Sequence, residues 1–501
     1  MASTFRSLLQ DTAVYGLSSM LGRFLNWMLT FVYVRVLLEQ EMGQMTHLYA
    51  WTAVLLILLT YGMETTFFRF ASKHDEPERV LGSTLWTLGI SSSAFVLLGI
   101  LTSETVAPLL GQPDAPELVM MLVGIVALDA FTAIPLGYLR YQRRPWWFMT
   151  VRMSFILLTI SLTLGVFYGL PLLEATFPSI FAGWYRPEHH LHYILGINLL
   201  GNLVQLGLLL PTIAQGRGGL DTKLLRPMLS YAWPILLLGL VGTLTNQADK
   251  LLLPHLFDDR LEADRLLGIY GASYKLAVIM VLFTQAFRYA YDPFVFAKSR
   301  DSDEAARRAY ADAMKYYLIT ALVIMLAVMA YLDVIKLLIP ESYYSGLVVV
   351  PYIMVGQLMF GLYSNLSIWF KLTDQTHWGA ILSCIGCLLT VGVIYFLTPV
   401  IGFEACAYAS VVANGAMMIL SYLLGRRYYP VPYELPRMGL YAAITLGSLI
   451  LLALIRRYTP DLLWVRLPLG TLILLPLLLT LLRLEVHVPA LKRAVHKLLR
   501  R

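Results

Sequence analysis

The chain has 501 residues, 58% of them hydrophobic and only 14% charged, with a mean hydropathy of +0.68. A soluble domain carries about a quarter of charged residues, so this composition excludes a soluble globular protein and describes one that lies in a membrane. The net charge of +7 then belongs to loops on the cytoplasmic side rather than to a nucleic-acid surface, and three cysteines exclude a disulfide framework.

A membrane-crossing helix needs about 20 mostly apolar residues. Fourteen segments qualify: 12–38, 43–70, 80–103, 116–139, 147–170, 191–214, 228–253, 266–297, 313–338, 346–371, 376–398, 403–425, 437–456 and 462–482. No basic stretch of a cleavable leader precedes the first, so it is expected to remain as a span. With the N-terminus inside, the inner loops and tail hold 24 Lys and Arg and the outer loops 5. That bias places both termini in the cytoplasm. Arg456 and Arg457, in the last outer turn, are the local exception. The stretch from Ser299 to Asp312 reads as a short cytoplasmic helix, and 484–501 as a basic amphipathic tail on the anionic inner leaflet. Cys384 and Cys387, a C-x-x-C inside an apolar run, are packing residues, and no metal site is expected.

One stretch occurs twice. Tyr15 to Ala71 and Tyr231 to Ala297 each open with an apolar segment bearing a polar stripe. Each continues through a turn to a glycine, Gly43 or Gly268, and each ends on Phe-Ala. The mismatch is an insertion from Asp258 to Leu267, expected in the turn. Six spans precede the second copy, so both enter the membrane in the same direction, as a parallel repeat. The expected organisation is all-α: two six-helix lobes, 1–215 and 228–430, a cytoplasmic linker 216–227, two further spans within 431–483, and a central cleft between the lobes.

Ionisable side chains deep in a membrane are costly and normally face a cavity or a partner. In the first segment Ser19, Gly22, Arg23, Asn26 and Thr30 share one helical face. In the seventh, Gly242, Thr245, Asn246 and Asp249 do the same, followed by Lys250. The eighth carries Lys275, Gln285, Arg288 and Asp292, the sixth Asn198, Asn202 and Gln205. Asp129 is mid-span in the fourth and Glu64 lies in the inner third of the second. Arg23, Lys250, Lys275 and Arg288, with Asn26 and Asn246, suit an anionic, hydrogen-bonding ligand in the cleft, since guanidinium groups pair with phosphate oxygens. Glu64, Asp129 and Asp249 are candidates for coupling or gating. The bland alternative, interhelical hydrogen bonding and side chains reaching to the interface, fits Arg35, Arg69, Asp292 and Lys371 better. No phosphate loop, H-E-x-x-H or G-x-S-x-G occurs, so the reading is of a transporter and not an enzyme, without a cofactor and with Na+ or H+ as the candidate coupling ion.

Glu41-Met42-Gly43, Tyr61-Gly62-Met63-Glu64 with Arg69-Phe70, Asn246-Gln247-Ala248-Asp249-Lys250 and Gly268-Ile269-Tyr270 give the chain a resemblance. Over about 10–430 it resembles the polysaccharide biosynthesis branch, the Wzx-type oligosaccharide flippases, of the multidrug/oligosaccharidyl-lipid/polysaccharide exporter superfamily. Glu-Met before Gly43 departs from the more usual aromatic residue. The resemblance implies a flippase of the bacterial inner membrane. It would carry an undecaprenyl-diphosphate-linked glycan to the periplasmic leaflet by alternating access, for lipopolysaccharide O-antigen or exopolysaccharide, beside polysaccharide assembly proteins. Rival readings are a drug or cation antiporter of the same fold, a lipid II flippase, and a polysaccharide polymerase or ligase.

Overall fold

The computed structural model describes residues 20–181, 183–298, 303–459 and 462–485. Ser19, the start of the first segment and the tail from 486 lie outside the described residues, as does the side chain of Asp292. The protein is 88% helical, with no strand among the described residues. Helix α1 covers 20–36. It is followed by α2 (Glu39–Ala71), α3 (Pro77–Leu109), α4 (Pro116–Tyr141), α5 (Pro145–Thr176), α6 (Pro187–Ile213) and α7 (Thr222–His255). Then come α8 (Arg260–Lys298) and α9 (Asp303–Ala330). The last five are α10 (Glu341–Leu372), α11 (His377–Ile401), α12 (Glu404–Tyr428), α13 (Leu435–Tyr458) and α14 (Leu463–Leu484). Thirteen of these are long and apolar enough to cross a membrane, and α1 supplies the fourteenth expected segment.

Local chemistry sets the helix ends. Pro77, Pro116 and Pro145 open α3, α4 and α5, where a missing N–H costs nothing. Asp221 caps α7 by accepting the backbone N–H groups of Lys223 and Leu224 at 2.9 and 3.3 Å. Two expectations need correcting. The residues after Ser299 do not make a separate short helix: α9 begins at Asp303 and runs on through them. The insertion before Gly268 is not an irregular turn: from Arg260 it forms the opening turns of α8. Charged residues had marked both stretches as lying outside the apolar core, but a helix extends readily past the hydrocarbon, since its backbone is satisfied internally.

The chain forms two compact units. One comprises Met1–Ala272 with Thr390–Cys406, the other Ser273–Leu389 with Ala407–Arg501. In the first, α7 lies along α2. Leu224, Met228 and Ala232 share a core with Met63, Phe67, Ala71 and Leu81, while Leu251 packs with Ala50 and Val54. The Arg69 guanidinium sits 4.0 Å over the Tyr231 ring. At the other end, the two glycines matched in the sequence repeat meet. A Cβ on Gly43 would overlap the carbonyl oxygen of Asp264, and a Cβ on Gly268 the carbonyl oxygen of Glu39. Each contact reaches four residues back along the partner helix, so the two copies touch reciprocally, as in a two-fold interface. Only glycine permits this backbone approach. Helix α5 contains a π-turn, Gly165–Gly169.

In the second unit, α13 and α14 are fastened to α9 at both ends. The buried Lys315 ammonium lies 3.4 Å from Glu434 and 3.5 Å from Glu485 and Asp312. The buried Asp333 carboxylate pairs with Arg456 at 3.2 Å, Arg466 at 3.3 Å and Lys336 at 3.6 Å. That pairing accounts for Arg456, the exception to the charge bias. Gly361 leaves the room that the Tyr317 ring fills, and Tyr317 shares a 2.9 Å hydrogen bond with Thr284.

Gly43→Val and Gly268→Val should each lower the stability of the detergent-solubilised protein by at least about 2 kcal/mol, the cost of forced overpacking. Gly242→Ala, where a Cβ meets nothing within 4 Å, should change it by less than about 0.5 kcal/mol. Thermal unfolding of the three variants checks this.

Candidate functional site

The Tyr61-Gly62-Met63-Glu64 motif is an interruption of α2. Tyr61 (φ 32°) and Gly62 (φ 74°) are left-handed, and the helix restarts at Met63. Gly62 is pressed against α7, where its Cβ would stand 3.0 Å from the Ala232 carbonyl oxygen. The restart aims Glu64 at α4, where it pairs with Arg140. Arg140 also lies over the Phe68 ring at 5.3 Å.

Helix α1 packs on α5 at Gly22, where a Cβ would stand 2.6 Å from Ile156 Cδ1. One residue on, Arg23 is exposed, and it acts electrostatically on Arg152 of α5, as do Asp129, Arg140 and Glu64. Arg152 is itself exposed. Among the described residues it has no hydrogen-bond acceptor and no carboxylate within 4.0 Å. A guanidinium with five N–H donors cannot stay unsolvated inside a membrane protein. Among the described residues this set is three arginines and two carboxylates.

Behind it α4 and α6 share polar contacts. Asn202 reaches the Asp129 carboxylate, and Gln205 donates to Thr132 Oγ1 at 3.2 Å. Asn198 donates to the Tyr49 hydroxyl of α2 at 2.5 Å, and Tyr33 of α1 shares a 3.5 Å contact with Thr163 of α5.

The first unit therefore brings together Arg23, Glu64 and Asp129 of the residues expected from sequence. Asn26, on the same helix as Arg23, is exposed. Asp249 and Lys250 make a separate node. The Lys250 ammonium is 3.0 Å from Asp249, which also accepts the Tyr270 hydroxyl at 2.7 Å. His47 binds the Lys250 carbonyl at 2.9 Å. Asn246 is exposed and donates to its own helix at Gly242 O, 2.7 Å away. Lys275 and Arg288 belong to the second unit, both half-buried, and the Arg288 guanidinium lies 5.8 Å over the Phe360 ring. The sequence reading passed over Arg152 and counted Arg140 only as a loop charge. Arg152 follows Trp146-Trp147 closely, and the aromatic belt drew the eye to the interface. The missed signal was an arginine within the apolar run that continues to Leu164.

The family model described as polysaccharide biosynthesis protein matches residues 8–288. The chain belongs to this family. No curated protein sequence matches it. Among solved structures it is similar to the lipid II flippase MurJ in an inward closed conformation, with TM-score 0.72 and 14% identity, covering 94% of this chain and 98% of that one. It is also similar to a multidrug resistance MATE family transporter of the MOP superfamily. The inward-facing form gives TM-score 0.64 at 14% identity over 83% of this chain and 94% of that one. The outward-facing form gives 0.55 at 14% identity over the same shares. The fold is thus that of the MurJ and MATE transporters, a multi-pass helical membrane architecture.

Removal of Glu64 (Glu64→Gln) or Arg140 (Arg140→Gln) should each destabilise the protein. The double variant should recover about 0.5–1 kcal/mol of the summed loss, as a half-exposed ion pair allows. Unfolding midpoints of the four proteins in the cycle measure the coupling.

Proposed function

We propose that the protein flips an undecaprenyl-diphosphate-linked oligosaccharide from the cytoplasmic to the periplasmic leaflet of the bacterial inner membrane, with both termini in the cytoplasm. The observation that carries this reading is Arg152. It is a guanidinium within a polysaccharide biosynthesis family protein, exposed, within electrostatic reach of Arg23 and Arg140, and not neutralised by a carboxylate at contact distance. A diphosphate supplies the acceptors and charge that such a group lacks. In this reading Arg23 and Arg152 take the diphosphate, and Lys275 and Arg288 of the second unit are proposed substrate-binding residues of that unit. Asn26 and Asn246 offer hydrogen bonds to sugar hydroxyls. Glu64 and Asp129 serve coupling. Lys250 is already neutralised by Asp249, so that pair is assigned to gating rather than to phosphate.

A lipid II flippase is the second reading, favoured by the likeness to MurJ over nearly the whole chain. A cation exporter fits less well, because its substrate would meet an excess of arginine.

Glycan export in cells lacking their own flippase tests the reading, with membrane levels checked by immunoblot. Arg152→Ala and Arg23→Ala should each remove charge-assisted hydrogen bonds of roughly 1.5–3 kcal/mol, or about one to two decades in apparent affinity. Lipid-linked glycan should accumulate on the inner leaflet, and lysine at either position should restore part of the activity. Wild-type export by both alanine variants would remove the arginines from the mechanism.

A further inference from the structure

Asp249 and Lys250 are consecutive on α7, and consecutive residues of a helix do not face each other. They meet here because the Asp249 carboxylate folds back along the chain. Its Oδ1 accepts the Lys250 backbone N–H at 2.9 Å and the Lys250 ammonium at 3.0 Å. The pair therefore depends on how the main chain of Lys250 is held. In an α-helix the Lys250 carbonyl would take the N–H four residues on, but that residue is Pro254, which has none. The helix ladder closes one residue earlier, with the Leu253 N–H on the Asp249 carbonyl, and the chain tightens into the 3-10 turn Leu253–His255. A carbonyl that a proline leaves over inside a membrane protein needs a donor from elsewhere.

His47 of α2 supplies one. Its Nδ1 is 2.9 Å from the Lys250 carbonyl oxygen, and a carbonyl only accepts, so Nδ1 carries the proton. Its Nε2 takes the Trp51 indole N–H at 3.2 Å, so Nε2 carries none. Two partners of fixed sense thus select one tautomer of a ring that is wholly buried. We propose that His47 is the positioning residue of the Asp249–Lys250 pair. Its Nδ1–H replaces the helix hydrogen bond that Pro254 cannot make, and holds the Lys250 main chain where the ammonium reaches Asp249. His47 and the pair belong to the same unit. The bond runs between two helices rather than within one, so it can break and re-form without unwinding α7. That its release frees the pair for gating rests on the flippase reading, but the tie itself does not.

The test uses the full-length protein in lipid nanodiscs. Acylation of Lys250 by an amine-specific reagent, followed by mass spectrometry, reads how firmly the ammonium is held and needs no substrate. An Asn amide nitrogen stands where Nδ1 stands, and that of Gln where Nε2 does. His47→Gln should raise the Lys250 acylation rate about three- to tenfold, the effect of losing one neutral hydrogen bond. His47→Asn should hold the rate within about twofold of the wild type. Adding Pro254→Ala to His47→Gln returns an N–H to the helix and should bring the rate back to the same range. Thermal unfolding shows whether the variants are folded. On the wild type itself, 15N spectroscopy of labelled histidine should show an imidazole protonated on Nδ1 alone, a signal lost in His47→Asn. Absence of that signal, a wild-type acylation rate in folded His47→Gln, or equal rates in His47→Gln, His47→Asn and the double variant would each overturn the tie and leave His47 as a space-filling residue. Glycan export should fall and recover in the same order. Export by His47→Gln at the wild-type rate, beside a raised Lys250 acylation rate, would instead strike the gating assignment and leave the tie standing.

Discussion

Hydrocarbon offers no hydrogen bonds, and the interior of this protein is arranged around that constraint. Among the described residues several charged side chains expected at membrane depth are met by a partner. Asp333 collects three cations, Lys315 three carboxylates, and Asp249 the ammonium of its own neighbour. These clusters fasten helices. Arg152 differs, since its neighbours act on it from beyond contact. The contrast between charges that are closed off and a charge left open separates scaffold from site more clearly than residue type does.

The number, order and approximate limits of the helices were legible because apolar length is a strong signal at this scale. The repeat was legible too, and the pairing of Gly43 with Gly268 in sequence corresponds to a physical contact between them. The points at which α8 and α9 begin were not legible. Once charged residues appear, hydropathy stops reporting helix, although the helix continues, as α8 and α9 do at their first turns. Partner choice was hidden as well. Nothing in one dimension says that Glu64 meets Arg140 or that Asp249 turns to Lys250 rather than to a ligand. Arg152 was hidden by its place next to two tryptophans, where an interfacial role is the ordinary one.

The break at Tyr61-Gly62 ties motif to geometry. A left-handed pair costs the helix its continuity, and the close seat against α7 at Ala232 is where that strain is held. What the break supplies is direction: the carboxylate of Glu64 points across to α4 instead of continuing along the face of α2. A motif that in sequence is only a string of four residues is therefore a bend that chooses one partner.

The reciprocal meeting of Gly43 and Gly268 has a consequence for how such a chain could have diverged from a duplicated ancestor. Elsewhere the two copies differ: the second carries additional turns at the start of α8 that the first lacks. At the crossing each copy is the surface on which the other rests. A side chain acquired by either glycine meets the partner's main chain, which no compensating substitution can shorten. The crossing is thus a place where the halves of one gene must change together or not at all, and the later insertion could be accepted only by lengthening the helix ahead of it while leaving that single point of touch in register.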